Sequence, residues 1–413
     1  MPEVIPFRSY YYHEGKGDPE KLKKLVAPPY DVISEEEKKE LERHQNNIVH
    51  VILPKSYDMA KIKLEEMIED QTLKVESDPC IYIYGIDYID PHSGNLYSRY
   101  GFVGLLKLVE LLGGKNGVIP HEMTFRKYTE DRFKLIQKTD STFSPIFTIY
   151  NGDGKAGEII KKYILKKPFL ETVDRDNFNH KIWEIRDETD INRIQEIFKQ
   201  HSIVIADGHH RYVTSLRHSK HGGCKYIMAL FIDFNDPGLI IYTSHREVHK
   251  LNVRDIKELV FELIENFMVQ KVSSYEDLNK LMKAHKGQHV FGCYFQGTFL
   301  FLKLKESINP EDVIGGIHSS LWRKLNIPIL HDILLKDNLG VNGEDITFIK
   351  DAKKGIEKVD NKDIDALFLI NPTTLEEIHA VTRLGEIMPQ KSTYFYPKPL
   401  SGLVIHRHSE EIE

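Results

Sequence analysis

The stretch IVIADGHHRYVTSL, residues 203–216, joins a strand pattern to a helix pattern within a few residues. Residues 203–205 are three β-branched apolar side chains in a row, which is typical of a strand buried on both faces. Gly208 lacks the Cβ that would hinder a sharp turn, and apolar residues then recur at helical spacing. The sequence therefore predicts a buried strand, a turn at Gly208, and a helix that begins with two histidines and Arg211.

Positive charge is concentrated at this predicted helix start. The first turn of a helix has unpaired N–H groups and a partial positive charge, which together favour phosphate. Arg211 adds a planar fork that matches two phosphate oxygens, while His209 and His210 add donors. Asp207 would lie at the edge of this positive field, where its pKa should fall. We interpret Asp207 as an ionised magnesium ligand or as an acceptor that orients a hydroxyl group.

Two other interpretations of the same residues stay open at this stage. An Asp-Gly turn before a polar helix is common, and Asp207 would then be only the N-cap of the helix. A zinc site would use His209, His210, His218 and His221, but adjacent residues project apart from a helix, which disfavours such a site.

Length and composition limit the classes of protein that the chain can belong to. With 413 residues, the chain is too long for one ordinary core and suits two or three domains. A net charge of -6 argues against a non-specific nucleic-acid binder. No apolar run is long enough to span a bilayer, and the first residues lack the apolar core of a signal peptide. The cysteines Cys80, Cys224 and Cys293 form no CxxC pair, so we expect neither disulfides nor zinc knuckles. We therefore expect a cytoplasmic protein.

Along the chain, strand and helix patterns alternate, which predicts an α/β (α+β) protein. Alternation at residues 80–89 and 100–108 predicts paired strands, and residues 121–138 form a charged helical pattern. From about residue 251, helix and strand patterns follow one another, as in a layered domain. We therefore expect a first domain with inserted segments over residues 1–250 and a C-terminal α/β domain over residues 251–413. The tail of the second domain, rich in prolines and aromatic residues, should return toward the site.

The motif ADGHHRY at a strand-to-helix turn resembles the phosphate-binding signature of the ParB/sulfiredoxin-like fold, and most closely that of its free serine kinases. Nearly the whole chain is similar to a bacterial and archaeal family known as a domain of unknown function. The matching stretches are PFRSYYY, APPYDVIS, HEMTFRKYTEDRFKL, SPIFTIY, ADGHHRY, HREVH, HDILL and MPQKSTYFYPKPLSGLVI. This resemblance implies a ParB/sulfiredoxin-like core with large insertions, since the free serine kinases are much shorter.

The resemblance also implies phosphorylation of free L-serine to O-phospho-L-serine. Inorganic diphosphate is the expected donor, with ATP or ADP as alternatives, and Mg²⁺ is the expected cofactor. In the related kinases the aspartate of the motif acts at the serine hydroxyl, which corresponds to Asp207. The following residues hold phosphate, which corresponds to His209, His210 and Arg211, with Gly208 at the turn.

Further candidates lie outside the motif. The stretch HEMTFRKYTEDRF would clamp a polyanion, although a charged helix is more often a solvated face. Asp31 in PPYDV would complete a magnesium site or hold the serine ammonium, or would only bind turn amides. Arg8 would face phosphate or a neighbouring carboxylate. The candidates for phosphate are His121, Arg126, Lys127, Lys391 and Ser392, and those for substrate are Asp31, Arg8 and Glu122.

Other classes of function are weaker. GDGKAG at residues 152–157 fits GxGxxG, with Asp174 as a possible ribose acid, but it also reads as an ordinary turn. No GxxxxGK[ST] motif occurs, which excludes a P-loop kinase. The main rival is a nucleotide-binding ParB-like regulatory or partition protein without kinase activity. Such a protein should carry a basic helix-turn-helix, whereas the sequence after residue 250 is acidic to neutral, so we expect no DNA partner.

Overall fold

The computed structural model describes residues 1–91, 93–111, 117–121, 126–152, 154–389 and 391–410, with the backbone alone for 126–129 and 410. The protein is a mixed α/β structure. The chain forms two compact units, one of Met1–Ile240 together with the segment from Pro397 onward, and the other of Ile241–Tyr396. In the described part of the chain, no helix has the length and apolar character needed to cross a membrane.

The unit boundaries differ from those expected at residue 250. The segment His245–Val248 pairs with strands of the second unit, so the second unit begins before residue 250. The last segment belongs to the first unit, because His406 pairs with Thr142 and Ser401 pairs with Ala27. Contacts distant in sequence set both boundaries, and no local composition change marks them.

The strands are β1 Val4–Ile5, β2 Tyr10–Tyr12, β3 Leu73–Val75, β4 Ile81–Ile89, β5 Leu96–Lys107, β6 Val118–Pro120, β7 Ser141–Thr142, β8 Ile146–Tyr150, β9 Leu170–Val173, β10 Asn179–Ile185, β11 Ile203–Asp207, β12 Tyr226–Asp233, β13 Ile240–Tyr242, β14 His245–Val248, β15 Phe267–Val272, β16 Val290–Phe295, β17 Thr298–Leu304, β18 Ile346–Ile349, β19 Ala366–Ile370, β20 Tyr394–Tyr396 and β21 His406–Arg407. The α-helices are α1 Pro19–Lys23, α2 Glu35–Leu41, α3 Val49–Ile52, α4 Tyr57–Glu69, α5 Arg126–Thr139, α6 Lys155–Ile164, α7 Glu188–Gln200, α8 His209–Lys220, α9 Ile256–Leu263, α10 Tyr275–Ala284, α11 Pro310–Val313, α12 Ser320–Arg323, α13 Asn326–Pro328, α14 Ala352–Asp360 and α15 Leu375–Arg383. A π-helix spans Ile329–Asn338, and 3₁₀ turns span His13–Gly15, Gly343–Asp345 and His408–Glu410.

A nine-stranded mixed sheet forms the centre of the first unit. Its order is β6-β11-β8-β12-β5-β4-β10-β9, with β1 paired to β5. The pairs β11/β6 and β8/β12 are parallel, and the predicted pair β4/β5 is antiparallel. Apolar residues of α6 and α7, including Ile159 and Phe198, belong to the same buried core as Ile203 and Ile205 of β11. Burial on both faces explains why β11 reads as a continuous apolar run.

The GxGxxG match is not part of a dinucleotide fold. Such a fold needs a strand, a helix and a second strand parallel to the first. Here α6 follows β8, but the next strand is β9, which lies at the far edge of the sheet and pairs antiparallel with β10. Gly154, with φ of 76°, begins α6 as an ordinary left-handed turn residue.

The second unit has a six-stranded sheet with the order β15-β17-β16-β19-β14-β18. Alternate residues of β16 belong to different cores: Phe291 and Cys293 pack on one face, while Val290 and Tyr294 pack on the other. This two-residue period is what a strand covered on both faces requires. The α/β character predicted for this region is confirmed by the structure.

Candidate functional site

Asp207 ends the central strand β11 and begins the candidate site. The register between β11 and β8 shifts between Ile205 and Asp207, as a β-bulge produces. Strict alternation would place Asp207 on the same side as Ile205, which is fully buried in the core. The bulge breaks that alternation and leaves the Asp207 side chain about one quarter exposed.

Gly208 forms the turn between β11 and α8. Its φ is 90°, and a Cβ at this position would lie 2.9 Å from both Arg211 Nη2 and Ile146 Cγ2. Gly208 itself is the N-cap of α8, and no side chain caps this helix start. Asp207 therefore does not act as the helix cap, because its carboxylate oxygens contact Arg211 and Lys398 instead. The predicted strand, turn and helix are confirmed.

Lys398 joins two carboxylates that are distant in sequence. Its Nζ donates to Asp31 Oδ2 at 2.8 Å and to Asp207 Oδ1 at 2.9 Å. The lysine side chain is only 9% exposed, whereas that of Asp31 is 39% exposed. A nearly buried ammonium therefore holds PPYDV and ADGHHR together at the end of β11.

The backbone on both sides of Lys398 is fixed by buried polar groups. The guanidinium of Arg99, which is fully buried, donates from Nη2 to the carbonyl of Pro397 at 2.7 Å. The amide of Leu400 donates to the hydroxyl oxygen of Tyr84 at 2.9 Å. Prolines 397 and 399 fix φ beside the lysine and offer no N–H groups. Lys398 is therefore presented by a rigid loop.

The same loop is paired with the segment that carries Asp31. Ser401 and Ala27 exchange two backbone hydrogen bonds, with N···O distances of 2.7 and 3.2 Å. The hydroxyl of Ser401 also donates to the carbonyl of Pro28 at 3.3 Å. This pairing sets the register of the two segments and thus places Asp31 within reach of Lys398.

Arg211 lies in the first turn of α8 and contacts Asp207 on one side. Its Nη2 is 3.2 Å from Asp207 Oδ2. Its Nη1 donates to the carbonyl of Pro145 at 2.7 Å and to the carbonyl of Ser144 at 3.2 Å. The SPIFTIY stretch thus supplies the acceptors that fix the guanidinium, which presents one nitrogen to the carboxylate.

The charges at this site determine its protonation. Burial would raise the pKa of Asp207, but the charges of Lys398 and Arg211 outweigh it and lower the pKa below the usual aspartate value. Burial lowers the pKa of Lys398, yet Asp207 and Asp31 reverse this effect and raise it above the usual lysine value. Asp207 is therefore a carboxylate and Lys398 an ammonium at neutral pH.

His209 and His121 form a buried pair behind the carboxylate. The backbone amide of His121 donates to Nε2 of His209 at 3.3 Å, and the two rings lie 4.7 Å apart. Burial, with the neighbouring histidines and Arg211, holds the pKa of His209 well below its usual value. The Nε2 atom of His209 is thus an acceptor on a neutral ring. This differs from the expected phosphate donor, because the helix start faces the interior at this residue.

Other predicted site residues are distributed over the molecule. His210 is partly exposed in the first turn of α8. Arg8 donates from Nε to the carbonyl of Glu76 at 2.9 Å. Lys391 and Ser392 belong to the second unit, where the hydroxyl of Ser392 donates to the carbonyl of Pro389. Glu122 and the side chains of Arg126 and Lys127 lie outside the described residues.

A cleft of about 520 Å³, including the part open to solvent, lies beside Arg211. Its walls include Tyr30, Phe143 and Ser144, and the guanidinium of Arg132 stacks 4.3 Å from the centre of the Tyr30 ring. Two arginines on one cleft provide positive charge for an anionic ligand.

Sequence reasoning missed Lys398, although it selected the tail that carries it. The local signal is the sequence Pro-Lys-Pro, which places a cation between two prolines. The segment around it is too polar for a strand that only packs against the core. This sequence predicts a lysine on a rigid backbone, but it does not identify the residues that the lysine contacts.

Residues 4–327 match the family described as "Protein of unknown function (DUF1015)". The chain belongs to this family. No curated protein matches it significantly. Among solved structures, a free serine kinase in complex with AMP is 15% identical with a TM-score of 0.35, over 70% of this chain and 92% of that chain.

Two further solved structures are similar at the same level. A conserved hypothetical protein from Pyrococcus furiosus is 16% identical with a TM-score of 0.34, over 68% of this chain and 88% of that chain. SbnI with a C-terminal truncation, from Staphylococcus aureus, is 13% identical with a TM-score of 0.37, over 73% of this chain and 86% of that chain. At TM-scores this low, none of these similarities defines the activity of the DUF1015 chain.

Proposed function

We propose that this protein is a phosphotransferase that makes O-phospho-L-serine from free L-serine, with inorganic diphosphate as the donor. The observation that carries the proposal is the convergence of two carboxylates and two cations at one strand-to-helix turn. Lys398 contacts Asp31 and Asp207, and Arg211 contacts Asp207 from the other side. The choice of serine comes from the resemblance of ADGHHRY to the signature of free serine kinases.

Asp207 suits the acceptor side of the reaction. Phosphoryl transfer has a loose transition state, so the acceptor hydroxyl needs orientation more than a strong base. The lowered pKa of Asp207 keeps it ionised, so that it accepts a hydrogen bond from the serine hydroxyl. In the reaction the serine Oγ–P bond forms and the bridging P–O bond of the donor breaks. The hydroxyl proton passes late to Asp207 or to the departing phosphate.

The cations suit the donor side. Arg211 is fixed by two carbonyls, so its guanidinium is preorganised for the transferring phosphoryl group. Lys398 and His210 would add charge and a further donor at the same turn. The N-terminal turn of α8 has no side-chain cap and carries the partial positive charge of a helix start, which favours an anion. A compact polyanion such as diphosphate needs only groups of this kind.

Magnesium fits the oxygen donors of the site. The carboxylates of Asp31 and Asp207 approach a single Nζ atom at 2.8 and 2.9 Å, so they converge on one small cation. Mg²⁺ prefers such carboxylate oxygens, and when bound it would neutralise charge on the phosphates. Asp31 and Asp207 are the residues that would hold it, in competition with Lys398. The alternative donor is a nucleotide, ATP or ADP.

The test is to incubate the purified full chain with L-serine, Mg²⁺ and one of diphosphate, ATP or ADP. Phosphoserine is detected by phosphorus NMR and by mass spectrometry. We expect product with diphosphate, and product with ATP alone would replace the donor while keeping the kinase. No phosphoserine with any donor would refute the kinase and favour a nucleotide-binding regulatory protein, which equilibrium binding of ADP would detect.

A matched pair of variants ties the activity to the site. We expect Asp207→Asn to fold but to lose turnover by about 10²-fold or more, because the amide is a weaker acceptor and a poor cation ligand. Asp176→Asn makes the same change at an exposed aspartate and should keep the wild-type rate. Equal rates for both variants would refute the role of Asp207.

A further inference from the structure

A second cluster of chemically reactive side chains lies in the first unit, outside the proposed phosphate site. Cys224 follows α8, while His406 and His408 lie in the last segment of the chain. All three side chains are buried, and one possible ligand atom from each lies within 4.8 Å of the other two. Within the part of the chain that the structure describes, no other group of histidine, cysteine and acidic residues meets this condition.

The loop that carries Cys224 is shaped to approach α8 closely. Gly222 has a φ of 87°, and a Cβ at Gly223 would lie 2.1 Å from Nδ1 of His218. The amide of Gly223 donates to the carbonyl of His218 at 3.0 Å, which ends the helix. Two glycines therefore let the chain turn directly from α8 to Cys224 and set the thiol beside the last segment.

One thiol and two imidazoles form a donor set that suits zinc. Zinc binds thiolate at about 2.3 Å and imidazole nitrogen at about 2.0 Å, in tetrahedral geometry. Ligand atoms in such a site lie roughly 3.3–3.7 Å apart by that geometry. The upper limit of 4.8 Å exceeds this spacing by about 1 to 1.5 Å, which small rotations of the two histidine side chains would close. Oxygen-preferring cations such as magnesium would not select this set.

The surroundings also favour a metal. Asp140 Oδ1 lies 3.3 Å from Nδ1 of His408, so a carboxylate stands behind one imidazole, as is usual for zinc ligands. His218, whose ring lies 5.8 Å from that of His408, has a buried Nδ1 without a hydrogen-bond partner among the described residues.

We propose that Cys224, His406 and His408 bind one zinc ion, which ties the last segment of the chain to the loop after α8. On binding, the thiol of Cys224 gives up its proton to solvent, and each imidazole binds through an unprotonated ring nitrogen. The thiol then exchanges its contact with the carbonyl of Tyr226, 3.0 Å away, for the metal. The remaining position of the tetrahedron would be taken by water or by a nearby side chain, as at sites with three protein ligands.

The experiment measures metal rather than catalysis. The full chain is stripped with a chelator, incubated with Zn²⁺ or Co²⁺, desalted, and analysed for metal content and by absorption spectroscopy. We expect one zinc ion per chain. With cobalt we expect the intense visible bands of tetrahedral geometry and a thiolate charge-transfer band. Cys224→Ser should lose the charge-transfer band, and His408→Gln should lose most of the bound metal.

The matched control is Cys293→Ser, which alters another buried free cysteine. We expect it to keep the metal and the cobalt spectrum. Wild-type protein that retains no zinc, or a cobalt complex without the thiolate band, would overturn the proposal even if the variants fail to fold. Equal loss of metal in Cys293→Ser and Cys224→Ser would overturn it as well.

Discussion

Replacement of Lys398 by Met would remove the cation that two carboxylates share while keeping most of the apolar stem. The ammonium lies 2.8 Å from Asp31 and 2.9 Å from Asp207, and its side chain is 9% exposed. Breaking a buried ion pair on one side typically costs about 3–5 kcal/mol. Asp31 is partly solvated, and Asp207 keeps its contact with Arg211. We therefore expect the free energy of unfolding to fall by about 3 kcal/mol, at the low end of that range. For a unit of this size the change corresponds to a fall in Tm of about 6 °C.

The pH dependence of this loss has a definite sign. In the wild type the folded-state pKa of Asp207 is lowered, so its ionisation stabilises the fold above the unfolded-state pKa of about 3.9. That contribution disappears as the pH falls through the lowered value. Without Lys398, burial is opposed mainly by Arg211, so the pKa of Asp207 rises. The difference in Tm between wild type and Lys398→Met should therefore be large at pH 7, shrink as the pH falls, and be smallest below the lowered pKa of Asp207.

Thermal unfolding followed by circular dichroism measures these differences, with Lys199→Met as the control. Lys199 pairs with Glu196 at 2.6 Å on an exposed helix face, where the pair should contribute little. In the double variant Asp207→Asn/Lys398→Met, the neutral amide at position 207 does not need a cation. The losses of stability of the two single variants should therefore not add, and we expect a coupling energy of about 2 kcal/mol. Additive losses, or a loss in Lys398→Met that is independent of pH, would refute the shared-cation account.

Two further substitutions test the neighbouring geometry. Gly208→Ala should lower stability by about 1–3 kcal/mol and reduce turnover, because φ of 90° and a Cβ 2.9 Å from Arg211 Nη2 both oppose it; an unchanged Tm would show that the turn relaxes freely. Arg211→Lys should lower turnover by about 10²-fold, since an ammonium cannot hold both carbonyls and also face Asp207; a wild-type rate would mean that charge alone suffices.

The part of the site that could be predicted is the part that is local in sequence. Residues 203–216 specify a buried strand, a glycine turn and a helix, because burial, positive φ and helical spacing each leave a pattern within a few positions. The bulge before Asp207 leaves no such pattern, although it determines where the carboxylate points. Alternation alone would have buried that side chain with Ile205.

The contacts that complete the site are separated by long stretches of chain. Lys398 and Asp207 are 191 positions apart, and Lys398 and Asp31 are 367 apart. Their meeting depends on backbone pairing between Ser401 and Ala27, which involves residues with no chemical role of their own. The cluster of Cys224 with two histidines escaped prediction for the same reason, since a search for CxxC spacing finds only ligands that are neighbours in sequence.

The position of Lys398 explains why the two carboxylates can lie together at all. Without the shared cation, two neighbouring carboxylates would repel each other, and one of them would take up a proton. A rigid lysine instead offsets this repulsion, and its loop is fixed on either side by Arg99 and Tyr84 rather than by the carboxylates themselves. The site is therefore charged and preorganised before any substrate binds, which is the condition under which electrostatic stabilisation of a transition state needs little reorganisation.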